Sequence, residues 1–258
     1  MRKTDRAIVF MAWGEKYINE VLACIKRSEL PEYDILLITD EETEVEIEDV
    51  VVIRREFKTK GLMRKIELAR AIPKEYKSYL FLDSDTRVLS DIRNGFEKAE
   101  LHGIAASPAP HYSLDHFWGF NKVMEKENVR ETGQLQYNTG VIFFVLNEKT
   151  LEVFHKWHEL GENYSHMIEN DQPFFSLAME MCGFNPYTLS IGYNYRGFGD
   201  AISGIVRIWH SHTEMPLDIN ELGNSWPPRR VIDGKVHYTR KENDKWYLEP
   251  VAWVKDVQ

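Results

Sequence analysis

Two aspartates separated by one serine follow directly after an apolar run. Residues 79–82 have the continuously apolar character of a central parallel strand, and Asp83, Ser84 and Asp85 come next. Ligands of open α/β sheets bind at the carboxyl ends of the strands, where loops face a crevice. Two carboxylates there can hold one hard divalent cation, which can bridge to a diphosphate. We therefore predict a cation site at this strand end, since a turn that caps the next helix needs only one carboxylate.

A strand followed by Asp-x-Asp is also typical of phosphatases of the haloacid dehalogenase type. That pattern places Thr or Val at the fourth residue after the first Asp, where this chain has Arg87. It also normally opens its domain, whereas here about 80 residues precede it. Both differences argue against the phosphatase interpretation.

Alternating strands and helices must position this pair. Short β-type runs alternate with amphipathic helical runs, which indicates a mostly parallel central sheet flanked by helices, an α/β fold. We expect strands at 7–12, 34–39, 50–53, 79–82 and 141–145, and helices at 15–27, 61–72, 148–160 and 171–181.

The rest of the chain shows weaker periodicity. Residues 108–136 are aromatic and polar and predict a long excursion of the kind that often carries function. The C-terminal third has no clear period, so we expect an irregular C-terminal portion. We interpret residues 1–258 as one domain with three parts, at 5–107, 108–212 and 213–258.

Composition excludes several classes of protein. The formal net charge of -9 argues against nucleic-acid binding, which needs a surplus of Lys and Arg. Only two cysteines are present, too few for a disulfide framework or a cysteine-based metal site, and this favours a reducing compartment. The apolar run near the start is too short for a signal peptide or a membrane span, and no other span is visible. We therefore expect a cytoplasmic protein without a transmembrane segment.

Three motifs in order give the chain a resemblance to a known family. They are residues 79–89 (YLFLDSDTRVL), residues 137–144 (YNTGVIFF) and residues 170–173 (NDQP). Over roughly residues 5–212 the chain resembles the nucleotide-sugar glycosyltransferases of the GT-A fold, most closely glycosyltransferase family 8. The resemblance implies a GT-A fold and transfer of a sugar from a nucleotide diphosphate donor, with a UDP-sugar favoured. It also implies that residues 5–107 are the nucleotide-binding half and residues 108–212 the sugar and acceptor half. It also implies retention at the anomeric carbon, although the sequence itself does not separate retention from inversion.

By resemblance, the cation is Mn²⁺ or Mg²⁺ and Asp83 and Asp85 are two of its ligands. The third ligand in the family is a histidine after a late apolar strand. Residues 205–209 form such a run here, so His210 is the expected ligand and His212 the reserve.

The resemblance also assigns residues to the donor. Asn138 and Thr139 lie beneath the transferred sugar, and Gly140 lets the backbone approach closely. Asp171 binds sugar hydroxyls, and Gln172 lies beside the reacting carbon. These two residues are the expected catalytic pair.

Further donor contacts are expected on the first two helices and strands. Lys65 matches the position of a basic residue that touches the donor sugar and phosphate, and Arg64 is its neighbour. Trp13 ends the first strand where the base and ribose bind by analogy, and Asp40 closes the second strand at the same edge. Ser84 lies between the two metal-ligating aspartates.

Structural interpretations of these residues stay open. Residues 138–140 make a good turn before a strand, and Asp171 is a favoured residue at the start of a helix. Lys65 on a helix could face solvent, and Trp13 could belong to the core. The two histidines could be exposed or satisfied within the protein.

The chain departs from the family after the histidines. The family continues with a Gly and a Lys that grip the diphosphate, whereas this chain has Thr213, Glu214, Met215 and Pro216. Basic residues further along could substitute: Arg229, Arg230 and Lys235.

Aromatic residues indicate where an acceptor would bind, because aromatic faces suit the apolar faces of sugar rings. The acceptor could be a glycan, a lipid-linked sugar, a protein or a small molecule, and the alternative is a hydrophobic cluster under a long loop. The candidates are His111, Tyr112, His116, Phe117, Trp118, Phe120 and Trp226.

Two other functions compete with transfer. A sugar nucleotidyltransferase would carry a Gly-rich basic loop after the first strand, where this chain has only Gly14 beside Glu15. A catalytically idle module that binds sugar nucleotides would tolerate the changed residues 213–216.

Overall fold

A seven-stranded sheet forms the centre of the protein. The computed structural model describes residues 4–28, 30, 32–45, 47–115, 117–130, 133, 135–197, 200–216, 219–220, 229–243 and 245–250. In chain order the elements are β1 (Arg6–Met11), α1 (Glu15–Arg27), β2 (Asp34–Thr39), β3 (Val50–Arg54), a 3₁₀ helix (Gly61–Glu67), α2 (Leu68–Ala71), β4 (Ser78–Leu82), β5 (Thr86–Val88), α3 (Arg93–His102), β6 (Ile104–Ser113), α4 (Asn121–Lys126), β7 (Leu135–Phe144), α5 (Glu148–Tyr164), α6 (Asp171–Met181), β8 (Tyr187–Thr188), a second 3₁₀ helix (Ile191–Tyr193), β9 (Ile208–His210), β10 (Arg229–Ile232), β11 (Lys235–Glu242) and β12 (Lys245–Pro250).

The sheet has the order β3-β2-β1-β4-β7-β6-β8. Strands β3, β2, β1 and β4 are mutually parallel, and β7 joins β4 in the antiparallel sense. Successive strand residues alternate between two cores, so that Ile8 and Phe10 pack with α1 and α3, whereas Ala7 and Val9 pack with α5 and α6. Helices cover both faces, which is what continuously apolar strands require. This confirms the predicted α/β architecture.

The expected helix over 61–72 has a different form. Residues 61–67 wind as a 3₁₀ helix, and only the four residues of α2 are α-helical. At three residues per turn, Met63 and Ile66 both face the core. Lys65 and Glu67 are also buried, and Glu67 accepts hydrogen bonds from the backbone N–H groups of Lys58 and Thr59. Tertiary contacts to these buried polar groups outweigh the helical propensity of the segment.

The 108–136 excursion contains more regular structure than expected. Strand β6 continues to Ser113, and α4 follows within the same stretch. The C-terminal portion likewise contains a three-stranded antiparallel sheet, β10-β11-β12, which the sequence did not predict. The division of the chain at 107 and 212 stays a prediction. Among the described residues, none of the helices combines the length and apolar character needed to cross a bilayer.

Glu100 on α3 joins this helix to the starts of β1 and β4. Its carboxylate accepts hydrogen bonds from Arg6 Nε at 2.8 Å, Ser78 Oγ at 2.8 Å and Lys77 Nζ at 2.5 Å. Burial alone would raise the pKa of Glu100, but these three donors outweigh it and lower the pKa from 4.5 to about 2. The carboxylate therefore stabilises the folded state fully above about pH 4.5, and this contribution is lost as the pH falls towards 2.

We expect Glu100→Gln to lower the free energy of unfolding at pH 6 and to have a progressively smaller effect as the pH falls below 4.5. Urea unfolding of both proteins at several pH values between 6 and 3 measures this. Glu97→Gln, three residues earlier on the exposed face of α3, is the matched control and should show little change. A Glu100→Gln effect that is constant over this pH range would contradict the assignment.

Candidate metal centre and adjoining cavity

The two aspartates lie in a tight turn between β4 and β5. The backbone N–H of Asp83 donates to the carbonyl of Gly140 at 2.8 Å, and that of Thr86 donates to the carbonyl of Asp83. Strand β5 pairs with β9 in a separate two-stranded sheet, and its register places Thr86 opposite His210. The sequence-distant histidine is thus brought beside the Asp-x-Asp turn by backbone pairing.

The three side chains converge as one cluster. His210 Nε2 lies 3.3 Å from Asp85 Oδ1 and 3.6 Å from Asp83 Oδ2, and the three candidate ligand atoms all lie within 4.8 Å of one another. Burial alone would raise the pKa of Asp85, but the neighbouring His210 and His212 lower it below its ordinary value. Two carboxylates and one imidazole form a donor set that suits Mn²⁺ and also accepts Mg²⁺. The residues present therefore fit the expected cation.

His212 is less suited to the role. Its Nε2 lies 3.5 Å from Asp85 Oδ2, but its side chain is 71% exposed, whereas that of His210 is 12% exposed. The ring nitrogen of an enclosed imidazole is held in place by its surroundings, whereas an exposed one must be ordered on binding. The geometry favours His210 over His212.

Residues 138–140 lie within β7, not in a turn before a strand. Pairing with β6 shifts between Ala106–Ile142 and Pro108–Tyr137, so that Ser107 alone lies opposite residues 138–141. Such a bulge redirects side chains, a device often found beside active sites. It directs Asn138 towards Gln172, whose Oε1 accepts a hydrogen bond from Asn138 Nδ2 at 3.0 Å.

Gly140 is the point where the backbone of β7 meets the metal cluster. A Cβ at this position would lie 2.1 Å from Cε1 of His210 and 2.7 Å from Oδ2 of Asp83. The close approach expected for Gly140 is therefore made to the candidate metal ligands. Only glycine leaves room for them.

Lys65 is buried between two carboxylates. Its Nζ lies 2.8 Å from Asp83 Oδ1 and 3.7 Å from Asp171 Oδ2. Burial alone would lower the pKa of Lys65, but Asp171 and Asp83 raise it above its ordinary value. Burial also raises the pKa of Asp171, and Lys65 and a hydrogen bond from Thr139 oppose this only in part. The solvent-facing interpretation of Lys65 is therefore wrong.

The first turn of α6 presents Asp171 and Gln172. Asn170 is the N-cap, because its side chain accepts a hydrogen bond from the backbone N–H of Gln172. Asp171 is consequently not needed as a cap and turns towards Lys65. Both Asp171 and Gln172 are buried although they are polar, which a purely structural helix start does not require.

A cavity of about 370 Å³ opens beside the cluster. Its wall includes Trp13, Lys65, Asp83, Asp85 and His210. The indole side chain of Trp13 is therefore accessible to a ligand in the cavity. Ser84 also lines the cavity, and its hydroxyl donates to Glu20 at 2.8 Å. The cavity thus combines an aromatic wall, one ammonium group and the candidate metal ligands.

Asp40 does not line this cavity and already has partners. Its Oδ2 accepts from Arg64 Nη1 at 2.8 Å, and its Oδ1 accepts from the hydroxyl and the backbone N–H of Thr43. Burial alone would raise the pKa of Asp40, but Thr43 and Arg64 lower it. Arg64 also lies over the ring of Trp13, 4.6 Å from its centroid. Asp40 and Arg64 therefore brace Trp13, a role that the sequence did not predict for them.

Several expected contacts lie elsewhere. Arg229 is buried, and its Nη2 donates to the carbonyl of Gly204 at 2.7 Å, so its side chain belongs to the packing of the C-terminal portion. Phe117 and Phe120 belong to the core, whereas Trp118 is 79% exposed. Arg230 and Lys235 lie on β10 and β11. His116, Trp226 and the side chains of His111 and Tyr112 lie outside the described residues.

Sequence reasoning missed Asn194 and Gln136. Asn194 follows the second 3₁₀ helix, is buried and bonds both His210 and Asn138. Gln136 accepts a hydrogen bond from Gln172 Nε2 at 2.8 Å. Neither belongs to a motif that was singled out, and only the tertiary pairing of β9 brings Asn194 to the site.

Comparisons with known proteins agree with this arrangement. The model of glycosyl transferase family 8 matches residues 16–213. Mouse xyloside xylosyltransferase 1 is similar in fold, with a TM-score of 0.53 at 12% identity over 80% of this chain and 97% of its own. The galactosyltransferase LgtC, solved with donor and acceptor sugar analogues, has a TM-score of 0.54 at 15% identity, covering 80% of this chain and 87% of its own. No curated protein sequence matches.

Proposed function

This chain belongs to glycosyltransferase family 8, and we propose that it transfers a sugar from a nucleotide diphosphate donor, a UDP-sugar by preference, with the help of Mn²⁺ or Mg²⁺. The observation that carries the proposal is the convergence of Asp83, Asp85 and His210 on the cavity that Trp13 and Lys65 also line. An acidic protein gains from a bound cation the local positive charge that an anionic donor needs.

Each residue of the site then has a chemical task. Asp83, Asp85 and His210 hold the cation, which when bound acts as a Lewis acid on the departing diphosphate. Lys65 supplies the fixed positive charge of the protein at the same place. A buried ammonium stabilises developing negative charge more effectively than one in water, because the surrounding dielectric constant is low.

Sugar contacts are proposed for a group of buried polar residues next to Lys65. Asn138 and Gln172 already form a hydrogen-bonded pair, and Asp171 lies beside them next to Lys65. These preorganised groups suit the hydroxyls of a hexose-type sugar, and Gln172 is the residue we place beside the reacting carbon. We propose retention at that carbon, on the basis of family membership.

The acceptor is proposed to bind on the 108–136 segment. Trp118 is exposed, stacks on the buried ring of Phe117 at 5.2 Å, and has a left-handed backbone with φ 40°. Strain of this kind in a bulky residue is common at binding sites. Asp115, Asn121 and other polar residues line a cavity beside it. An aromatic platform bordered by polar groups suits a glycan or a lipid-linked sugar better than it suits a purely apolar molecule.

Thermal unfolding with candidate donors tests the proposal. UDP-, GDP-, CDP- and dTDP-sugars are each added with Mn²⁺, with Mg²⁺ and with chelator to the wild type and to Asp85→Ala. A donor at 100 times its Kd stabilises the folded state by about 2.7 kcal/mol, and at about 2–4 °C per kcal/mol the Tm rises by several degrees. We expect one nucleotide class to give this shift only with metal.

Asp85→Ala should abolish the donor-dependent shift while keeping the Tm of the ligand-free protein close to that of the wild type. A shift that survives chelator and Asp85→Ala would contradict the metal assignment. Absence of any shift with all donors would contradict transfer from a nucleotide sugar. A shift without turnover of the donor would instead support the catalytically idle module.

A further inference from the structure

Asn194 is a buried amide that joins the candidate metal ligand to the sugar-facing residues. Its Oδ1 lies 2.7 Å from His210 Nδ1, and its Nδ2 donates to Asn138 Oδ1 at 2.8 Å. Asn138 in turn donates to Gln172, and Gln172 donates to Gln136. One continuous chain of hydrogen bonds therefore connects His210 with the residues we place around the sugar.

A backbone amide fixes the direction of every bond in this chain. The N–H of Gly140 donates to the same Asn138 Oδ1 at 2.9 Å, so this atom of Asn138 must be the oxygen. The atom of Asn194 that faces it is then the Nδ2 donor, and its Oδ1 faces His210. Nδ1 of His210 must consequently carry the hydrogen. In the neutral ring, Nε2 then has the lone pair that a cation between Asp83 and Asp85 would need.

We propose that Asn194 is a positioning residue that fixes the tautomer and the orientation of His210 and couples this ligand to Asn138 and Gln172. The inference rests on the proposed function for the identity of the site. Metal-ligating histidines commonly donate their second ring N–H to a group that orients them, and loss of that group weakens metal binding or activity about 10–100-fold. Here the orienting group is an amide whose other end holds a sugar-facing residue.

This arrangement couples the metal ligands to the residues that we place around the sugar. With a cation at Asp83 and Asp85, His210 would be held in place, and with it Asn194 and the Oδ1 of Asn138. Binding free energies coupled in this way are reciprocal, so an ordered Asn138 also favours the metal-ready position of His210. The sugar pocket is thereby preorganised when the cation is present.

Mn²⁺ binding to the protein without any donor tests whether Asn194 orients His210. We expect Asn194→Leu, which has a similar shape but no polar atoms, to weaken Mn²⁺ binding about 10–100-fold, measured from the electron paramagnetic resonance signal of free Mn²⁺. Asn220→Ala is the matched control, because Asn220 also bonds near β9 but to the backbone of Val206 and to Arg229, not to the metal cluster. It should keep wild-type Mn²⁺ affinity even where its Tm falls.

Asn194→Asp tests the coupling to Asn138 separately. The aspartate keeps an acceptor for His210 Nδ1–H but has no N–H donor for Asn138. We expect Mn²⁺ affinity within a few-fold of the wild type, with lower kcat and a little-changed KM for the donor sugar that the thermal unfolding identifies. A purely structural role would lower both affinity and turnover in proportion to stability, which this pattern would not follow.

The outcomes separate the inference from the proposed function. Mn²⁺ binding that is equally tight in the wild type and in folded Asn194→Leu overturns the role of Asn194 and leaves the metal site standing. No Mn²⁺ binding by the wild type overturns both. Normal turnover by Asn194→Asp overturns the coupling to Asn138. If Asn194→Leu does not fold, Asn194→Ala replaces it, with the same expected loss of Mn²⁺ affinity. Asn194→Asp still decides whether Asn194 is coupled to Asn138.

Discussion

Gly140→Ala is expected to weaken Mn²⁺ binding more than about 100-fold while leaving the fold intact. Loss of a residue that only orients a metal ligand already lowers metal affinity about 10–100-fold, and this substitution displaces the ligands themselves. The added Cβ would lie 2.1 Å from Cε1 and 2.8 Å from Nδ1 of His210, and 2.7 Å from Oδ2 of Asp83. These distances are shorter than any real Cβ contact. Relief must come from displacement of two of the three ligand side chains, because the carbonyl of Gly140 is also fixed by Asp83 N–H.

The backbone of Gly140 does not itself require glycine. The φ angle of Gly140 lies outside the left-handed region, so alanine can adopt the same backbone conformation without strain. The expected cost in the free energy of unfolding is that of ordinary overpacking, about 1–3 kcal/mol. Mn²⁺ titration with circular dichroism and thermal unfolding on the same sample separates loss of binding from loss of fold.

Gly95→Ala is the matched control for this experiment. A Cβ at Gly95 would lie 2.4 Å from the ring of Phe143, so it overpacks the core from α3 without touching the metal cluster. We expect it to lower the Tm but to keep wild-type Mn²⁺ affinity. Equal Mn²⁺ affinity in Gly140→Ala and the wild type would mean that the cation does not use His210 and Asp83.

The strand-end aspartates were predictable because local sequence determines them. A short, continuously apolar run bounded by turn residues favours a buried strand, and the residue after a parallel strand emerges at the ligand-binding edge. The same logic placed Asp171 and Gln172 at the start of a helix. In each case the argument needs only the residues of one element and its immediate neighbour.

Other features depended on pairings that the sequence does not encode locally. The bulge that directs Asn138 arises from the register of β7 against β6, and a strand prediction that starts at 141 cannot show it. Asn194 reaches His210 only through the packing around β9. Lys65 is buried because Asp83 and Asp171 surround it, and no spacing within residues 61–72 indicates those partners.

Lys65→Met is expected to lower the free energy of unfolding of the metal-free protein by about 3–5 kcal/mol at pH 7.5, the usual cost of removing one partner from a buried ion pair. Asp171 is 5% exposed, and without Lys65 it must either remain as an unpaired charge or take up a proton. Chelator keeps the measurement free of any cation that could compensate for the lost ammonium group. Urea unfolding gives the free energy directly.

Asp171→Asn should behave in the opposite way. Burial already raises the pKa of Asp171 in the wild type, so its ionisation opposes folding as the pH rises. Removing this charge leaves Lys65 paired with Asp83 at 2.8 Å. We therefore expect near-wild-type stability with strongly reduced turnover, since the group that we propose to bind the sugar is lost without loss of the fold.

The double variant Lys65→Met/Asp171→Asn decides whether the effect is electrostatic. If the stranded charge of Asp171 causes the loss, the double variant recovers most of the stability that Lys65→Met loses. The deficit of Lys65→Met should also be smaller at pH 5 than at pH 8, because a carboxyl with a raised folded pKa stabilises the fold most at low pH. The loss in free energy of unfolding caused by Lys65→Met could instead be the same whether residue 171 is Asp or Asn, and the same at pH 5 and pH 8. That result would mean that the loss comes from packing of the lysine stem. Lys65 would then be a structural residue, and the positive charge needed by the donor would have to come from the cation alone.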